Sequence, residues 1–402
     1  MPIQFPISNL NRRAFLVRAA TLGGSLAAGA AFPSRVWAGQ NSPENSRTRR
    51  FLYVSLPDNS DGDHEYGTGV LVFDIDDGHK LVRRIDLPRG KKDLVGFSGF
   101  TGCLQTHSAY YAAAIQDAAK NTFSGLVGRF DLESEKIIWE RTCPMGVDRG
   151  SVTPDGKKFY VPTGSWYEKE DGGLTVFDGE TGELIKKIVV GPMAHNSIVS
   201  LDGRFLYLQS RALLTVFDTR DEQVIKQISA GDHRISPFTA DSRNRRAYYC
   251  LHDNLGFDVV DLEAGAMLHR VYVGATPIRR RTHGVGLTPD EKELWVSDQV
   301  GRRLMIYDNT VEPPKPTGEI ALSQGGHGWI KFSLDGKYAW PNTADVIDVA
   351  TRKTVATLRD ERGRPVSSAK CIEIHFRDGK VVTMSSEFGL GRRYGAELSK
   401  PS

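Results

Sequence analysis

Four histidines recur at matching positions along the chain, where they could bind a metal or move protons. Each lies seven or eight residues before an aspartate that begins a turn. The four pairs are His195 and Asp202, His233 and Asp241, His283 and Asp290, and His327 and Asp335. Imidazoles that converge on one point bind copper, zinc or iron, or act as general acid and base. The alternative is a repeating fold that duplicates one residue for hydrogen bonds between neighbouring units.

Arginines accompany these histidines. Arg149, Arg211, Arg234 and the run Arg279-Arg280-Arg281 fall in the same kind of segment, and Arg281 lies two residues before His283. Guanidinium groups bind carboxylates and phosphates through paired hydrogen bonds. The pattern favours a small anionic molecule or an acidic partner loop over a neutral sugar. The alternative is a solvated surface whose positive charges repel one another.

A repeat explains why these positions match. Seven apolar segments end in aspartate, at intervals of 57, 47, 40, 43, 47 and 40 residues. The seven aspartates are Asp74, Asp131, Asp178, Asp218, Asp261, Asp308 and Asp348. A period of 40–50 residues is typical of β-propeller blades. We interpret these aspartates as turn residues rather than catalytic carboxylates.

A second repeated feature precedes most of these segments. Turns such as Asp155-Gly156 and Asp202-Gly203 lie between two strand-like runs, which is a strong hairpin signal. Each repeat is therefore expected to form a four-stranded antiparallel sheet, and seven sheets stack around a central channel. The fold class is all-β, a seven-bladed β-propeller.

The ring must close. The segment 371–376 has the form of an innermost strand, and 51–55 that of the strand beside it, so we expect the C-terminus to complete blade 1. Residues 381–384 compete with 51–55 for the same place, and the sequence leaves this pairing open.

Blade topology places the candidate residues together. The loops that lead into first strands, and those between second and third strands, share one rim, and ligands of closed β folds bind at such mouths. His195, His233, His283 and His327 then come from blades 4 to 7, and His64 from blade 1. We predict that these four, with Arg149, Arg234 and Arg281, bind a ligand, and that the four histidines are candidate metal ligands. Trp139, Trp295, Trp329 and Trp340 are expected to pack between blades.

Two segments carry the resemblance to a known family. Residues 282–296, with Thr282-His283-Gly284-Val285-Gly286-Leu287-Thr288-Pro289-Asp290, and residues 152–161 resemble the YVTN-type propeller repeat. The resemblance spans about 330 residues. It implies a YncE-like seven-bladed propeller, related in fold to propeller lactonases and to the heavy subunit of methylamine dehydrogenase. It carries no active-site residue over to this chain.

The N-terminus resembles an export signal. Arg12 and Arg13, followed by Phe15 and Leu16, a weakly apolar stretch and Val36-Trp37-Ala38, are similar to a twin-arginine signal peptide. We therefore expect residues 1–38 to be a signal peptide, 39–50 a flexible leader, 51–385 the propeller and 386–402 a tail. Localisation would be the periplasm or the exterior, with no membrane span in the mature protein.

Charge and cysteine usage exclude several functions. Without residues 1–38 the chain has 48 basic and 49 acidic residues, which gives no electrostatic basis for binding nucleic acid. Its four cysteines are more than 30 residues apart, so no Cys-x-x-Cys metal or redox pair exists, and covalent c-type haem is excluded.

Three functions remain after these exclusions. The first is an exported module that binds a small anion, a cofactor or a periplasmic protein partner at the mouth. The second is a propeller enzyme of lactonase or lyase type that uses histidine and arginine. The third is a metal or redox protein. The identity of any cofactor stays open, with a transition metal as the candidate.

Overall fold

The computed structural model describes residues 47–57, 67–88, 94–117, 122–164, 172–274 and 277–385. Apart from a single 3-10 turn at Ile75–Asp77, the regular structure of these residues is entirely β. The predicted signal peptide, the tail 386–402 and His64 lie outside the described residues. No helix among the described residues is long and apolar enough to cross a membrane.

The strands form seven antiparallel sheets, which confirms the predicted fold class. In six of the seven sheets, four consecutive strands pair in chain order. Blade 2 consists of β4 (Leu94–Cys103), β5 (Ser108–Asp117), β6 (Thr122–Asp131) and β7 (Lys136–Cys143). Blade 3 consists of β8 (Ser151–Val152), β9 (Lys158–Thr163), β10 (Gly173–Asp178) and β11 (Leu184–Val189). Blade 4 consists of β12 (Ala194–Val199), β13 (Phe205–Ser210), β14 (Leu213–Asp218) and β15 (Val224–Ser229).

The last three blades repeat the same order. Blade 5 consists of β16 (Ile235–Ala240), β17 (Arg246–Leu251), β18 (Gly256–Asp261) and β19 (Ala266–Tyr272). Blade 6 consists of β20 (Thr282–Leu287), β21 (Glu293–Asp298), β22 (Arg303–Asp308) and β23 (Lys315–Ala321). Blade 7 consists of β24 (Lys331–Phe332), β25 (Tyr338–Trp340), β26 (Asp345–Asp348) and β27 (Lys353–Thr357).

Blade 1 joins the two ends of the propeller and has five strands. They are β1 (Arg49–Leu56), β2 (Gly69–Asp74), β3 (Lys80–Ile85), β28 (Cys371–Arg377) and β29 (Lys380–Met384). β28 pairs with β1 from Arg49 opposite Phe376 to Val54 opposite Cys371, so the C-terminal strand closes the ring as predicted. β29 pairs with the other edge of β28, so the expectation that 371–376 is the innermost strand is wrong: β28 lies between two strands. The expected competition between 381–384 and 51–55 therefore does not arise, because β28 offers each of them a separate edge.

Antiparallel pairing divides the loops between two rims. The turn rim carries the loops between first and second strands and between third and fourth strands. The mouth rim carries the loops that lead into first strands and those between second and third strands. On the turn rim the Asp-Gly turns form because Gly156, Gly203 and Gly336 adopt positive φ, a conformation that glycine tolerates without strain.

Aromatic side chains fill the space between blades. Trp295 of β21 meets Phe332 of β24 edge to face at 5.1 Å, so blades 6 and 7 pack as the sequence predicts. Trp139 of β7 donates to the carbonyl oxygen of Gly179 in blade 3. Such close contacts between neighbouring sheets hold the seven small blades in one core.

Trp329 departs from this pattern. Its indole nitrogen donates to the carbonyl oxygen of Phe238 in blade 5 at 2.8 Å, although the residue leads into blade 7. The guanidinium carbon of Arg149, from the loop into blade 3, lies 4.0 Å from its ring centre. Blades 3, 5 and 7 are not neighbours in a seven-membered ring, so groups from all three can meet only near the axis. The expectation that Trp329 packs between two blades is therefore wrong: this side chain crosses the channel.

Candidate functional site

The first strands of blades 4, 5 and 6 are irregular at their mouth ends. The register with the second strand shifts between Ala194 and Asn196 in β12, and between Thr282 and Val285 in β20. β16 has a similar shift after Ile235. His195 and His283 lie inside two of these bulges. Bulges redirect side chains and are frequent beside functional sites.

His283 and His327 are in direct contact. Their rings stack with centroids 3.8 Å apart and planes 7° from parallel. The backbone of Gly328 donates to the carbonyl oxygen of His283 at 2.6 Å. A Cβ atom on Gly284 would lie 2.5 Å from the Gly328 oxygen, so glycine is needed for this approach. The glycines that follow the two histidines therefore allow the stack.

His283 is the most buried member of this group, at 7% exposure. Burial lowers the pKa of His283 well below its usual value, and His327, Arg281, His195 and His252 lower it further. The imidazole is therefore uncharged at neutral pH. Its Nδ1 is buried and has no hydrogen-bond partner among the described residues.

His195 is held by a carboxylate. Its Nδ1 contacts Asp148 Oδ2, and the same carboxylate accepts the backbone N–H of Arg149 through Oδ1 at 2.8 Å. The side chain of Asp148 is 8% exposed and that of His195 is 16% exposed. A carboxylate on one ring nitrogen fixes the orientation of an imidazole, an arrangement that general acids and bases share with plain structural pairs. The enzyme alternative therefore stays a prediction.

His252 belongs to the same group, although the repeat in the sequence does not predict it. It follows β17, in the loop between the second and third strands of blade 5. The pKa of His252 is lowered to about 4, first by burial and then by Arg234 and Arg281. The residue does not occupy the repeated position of the other histidines. The loop type could have identified it, since loops between second and third strands share the mouth rim.

Three arginines act on this cluster from neighbouring blades. The pKa of Arg234 is lowered by burial and by Arg211, and that of Arg281 is lowered by burial and by Arg234. Arg281 donates to Gln299 Oε1 at 3.4 Å. The structure thus brings together His195, His252, His283, His327, Arg234 and Arg281, which we call the mouth cluster.

His233 makes a separate contact. Its Nδ1 lies 3.1 Å from Asp253 Oδ1 and 3.3 Å from the side-chain nitrogen of Asn254, both in the neighbouring loop of its own blade. Across the described part of the chain, no three histidine, cysteine, aspartate or glutamate side chains are grouped as ligands for one metal ion. The stack of His283 on His327 brings their faces together rather than their nitrogen atoms. The metal-binding role of the four histidines stays a prediction.

Two surface grooves lie elsewhere. One runs between the outer strands of blades 2 and 3, beside Cys143 and Leu184, and the other lies beside Arg352 and Glu319 on blades 6 and 7. Burial raises the pKa of the Cys143 thiol to about 12, so the thiol is protonated and unreactive at neutral pH. The convergence of titratable groups therefore favours the mouth over either groove.

The comparisons with known proteins support the fold and show no function. No protein-family model matches the chain, and no curated protein matches its sequence. Among solved structures, Kuenenia stuttgartiensis hydrazine synthase is similar, with a TM-score of 0.52 and 19% identity. The match covers 66% of this chain and 80% of that chain. At this identity the likeness concerns the fold alone.

The fold match is also too widely shared to indicate a function, since 1417 solved chains match this one. The resemblance to YVTN-type propellers and the twin-arginine signal stay predictions. What the structure establishes is an all-β protein of seven antiparallel blades, closed into a ring by its C-terminal strands.

Proposed function

We propose that this protein is exported and binds a small anionic ligand at the mouth of its propeller. The proposal rests on the lack of an ion pair at Arg281 among the described residues. This half-buried side chain makes one hydrogen bond, to Gln299 Oε1, and forms no ion pair with any carboxylate in the described residues. A partly buried cation without a counterion is costly, and an anion that supplied one would bind with a large gain.

Other half-buried arginines of the same blades do have carboxylate partners. Arg280, the residue before Arg281, pairs with the fully buried Asp298 at 2.9 Å. Arg270 binds Asp258 through two hydrogen bonds of 2.8 and 2.9 Å. These two arginines are neutralised by carboxylates of their own blades. At Arg281 the neighbouring charge is instead a second cation, Arg234.

The tryptophan that crosses the channel limits the space for a ligand. Trp329 crosses the channel beneath the rim, and Arg149 stacks on it at 3% exposure. The Trp329 ring therefore occupies part of the channel below the mouth. A compact carboxylate or phosphate suits this space, with Arg234 and Arg281 as its hydrogen-bond donors.

Calorimetric titration with phosphate and citrate tests the proposal. We expect binding to the purified mature protein and a loss of about 10- to 100-fold in affinity for Arg281→Gln, the usual effect of removing a charge-assisted hydrogen bond. Arg243→Gln is the matched control, because Arg243 is an exposed arginine on the turn rim of blade 5. Equal affinities of the two variants, or no binding by the parent protein, would contradict the proposal.

The export part of the proposal rests on the sequence alone. Changing both Arg12 and Arg13 to lysine should leave unprocessed protein in the cytoplasm, whereas the parent should be cleaved near Gly39. Fractionation and N-terminal sequencing measure both results. Normal export of the double variant would refute the twin-arginine assignment.

A further inference from the structure

The mouth cluster and the residues that support it contain buried polar atoms that an anion bound to Arg281 would not satisfy. Resting on the proposed anion site, we infer that the ligand is a hydroxy or oxo acid, whose acidic group binds Arg281 and whose uncharged oxygen binds His283. The ligand class is thus narrower than small anions in general, and it is set by a second recognition element.

The first observation is the orphaned nitrogen of His283. The residue is 93% buried, its Nδ1 has no hydrogen-bond partner within the described ranges, and the ring is fixed by the stack on His327. A buried polar atom without a partner costs about 1–3 kcal/mol. A ligand oxygen that bonded to this atom would remove that cost.

Two further polar atoms near the backbone of the histidine stack are also without partners among the described residues. Ser297 is 1% exposed and its Oγ makes no hydrogen bond to the described residues. The same holds for Oδ1 of Asn342, at 2% exposure. Both lie against the backbone that supports the histidine stack: Ser297 Oγ is 2.3 Å from the position of a Cβ on Gly284, and the Asn342 amide donates to the His327 carbonyl oxygen.

The charges assign the two parts of the ligand. His283 is uncharged at neutral pH, because burial and the nearby cations oppose its protonation. An uncharged imidazole adds little Coulomb attraction for a carboxylate, and it suits a hydroxyl or carbonyl oxygen. Arg281 carries the charge and acts on His283 from two residues away. A ligand that reaches both groups therefore has its acidic group and its uncharged oxygen within one small molecule.

Titration of three acids of equal charge tests this inference. Propionate, lactate and pyruvate differ only in the group next to the carboxylate, so calorimetry at pH 7.5 isolates its effect. We expect lactate or pyruvate to bind at least about 5-fold more tightly than propionate, which is the gain from one hydrogen bond. His283→Phe keeps the aromatic stack and should abolish the preference while propionate still binds.

The controls separate the possible failures. His107→Asn changes a histidine on the turn rim, and it should leave the preference intact. If His283→Phe does not fold, Ser297→Ala takes its place, and a reduced preference is again expected. The second recognition element is overturned if the parent binds all three acids equally, or if the variant keeps the same preference as the parent. Either result leaves the anion site standing. If none of the three acids binds, the anion site itself fails, and the inference fails with it.

Discussion

The two rims of the propeller are built from the same strands but differ in how their polar groups are hydrogen-bonded. On the turn rim the hydrogen bonds are local and recur from blade to blade. Thr153, Ser200, Thr288 and Ser333 each donate to an aspartate two residues later, at 2.5–2.7 Å. The same aspartates accept a backbone N–H from the second residue after them, at 3.0–3.1 Å. These repeated turns satisfy their own polar groups, although His79 Nε2 and one Arg352 nitrogen, Nη1, are buried on the same rim without a partner among the described residues.

The mouth rim has no such repeated hydrogen bonds among the described residues. Its histidines and arginines come from different blades, and His283 Nδ1 is buried without a partner in the described part of the chain. Because the strands are the same, the fold does not require this difference. Repeated hydrogen bonds occupy the turns at one end of each blade, and the other end is where we propose that the ligand binds. The following variants test that division.

The largest effect is expected from removing the closing strands, on which both rims depend. Deletion of residues 370–402 removes β28, whose pairing with β1 spans six residue pairs. It also removes Glu373, which accepts the backbone N–H of Leu334 in blade 7. We expect loss of cooperative thermal unfolding, because the open ring exposes an unpaired strand edge.

Differential scanning calorimetry measures that loss. The control is a deletion of residues 386–402, which removes none of the described strands and should melt like the parent. A sharp, unshifted transition for the longer deletion would show that the ring does not depend on its closing strand.

An intermediate effect is expected from His79, a buried histidine on the turn rim. Burial lowers the pKa of His79 to about 4, and its ring packs edge to face on Tyr338 at 4.9 Å. Since the unfolded chain takes up a proton near pH 6.5 and the folded chain does not, stability must fall as the pH drops from 6.5 toward 4. Each such histidine contributes up to about 1.4 kcal/mol per pH unit.

Urea unfolding between pH 7 and pH 4.5 measures this slope. His79→Leu should reduce the slope by one proton's contribution and leave ligand binding unchanged. His283→Phe should reduce the slope as well, but it should alter ligand preference. Equal slopes for the parent and His79→Leu would mean that His79 protonates in the folded state.

The smallest effect is expected from a single turn aspartate. Asp290 accepts from the hydroxyl of Thr288 at 2.7 Å and from the backbone N–H of Lys292 at 3.1 Å. Asp290→Ala should cost about 1 kcal/mol, since the site is open to water. Thermal melting should fall by a few degrees, and anion affinity should not change. A weakened anion site in this variant would show that the rims are coupled.

Much of the fold could be predicted because its signals are local. The aspartates that end third strands and the Asp-Gly turns recur with the period of the blades, and each acts within a few residues. The predicted turn role of Asp178 is confirmed: its carboxylate accepts the N–H groups of Glu180 and Thr181, which lowers its pKa. Such interactions leave a signature in sequence spacing.

The mouth was predictable only in outline. Blade topology identified the loops and the repeated histidines, but Asp148 and His252 stand outside the repeated position. Trp329 looked like a strand tryptophan, and its path to Phe238 depends on the direction of one side chain across the axis. Contacts between blades 3, 5 and 7 have no fixed separation along the chain, so periodicity cannot reveal them.

Trp329 also has a mechanical consequence, because it connects blade 7 to blades 5 and 3 across the axis. If blade 7 separated from blade 1 at the closing seam, the indole would have to leave both the Phe238 carbonyl oxygen and the Arg149 guanidinium. One side chain therefore stabilises both the mouth and the closing seam between blades 7 and 1. A ligand that held Arg149 and its neighbours in place would also restrain the Trp329 ring, and blades 7 and 1 would separate less often.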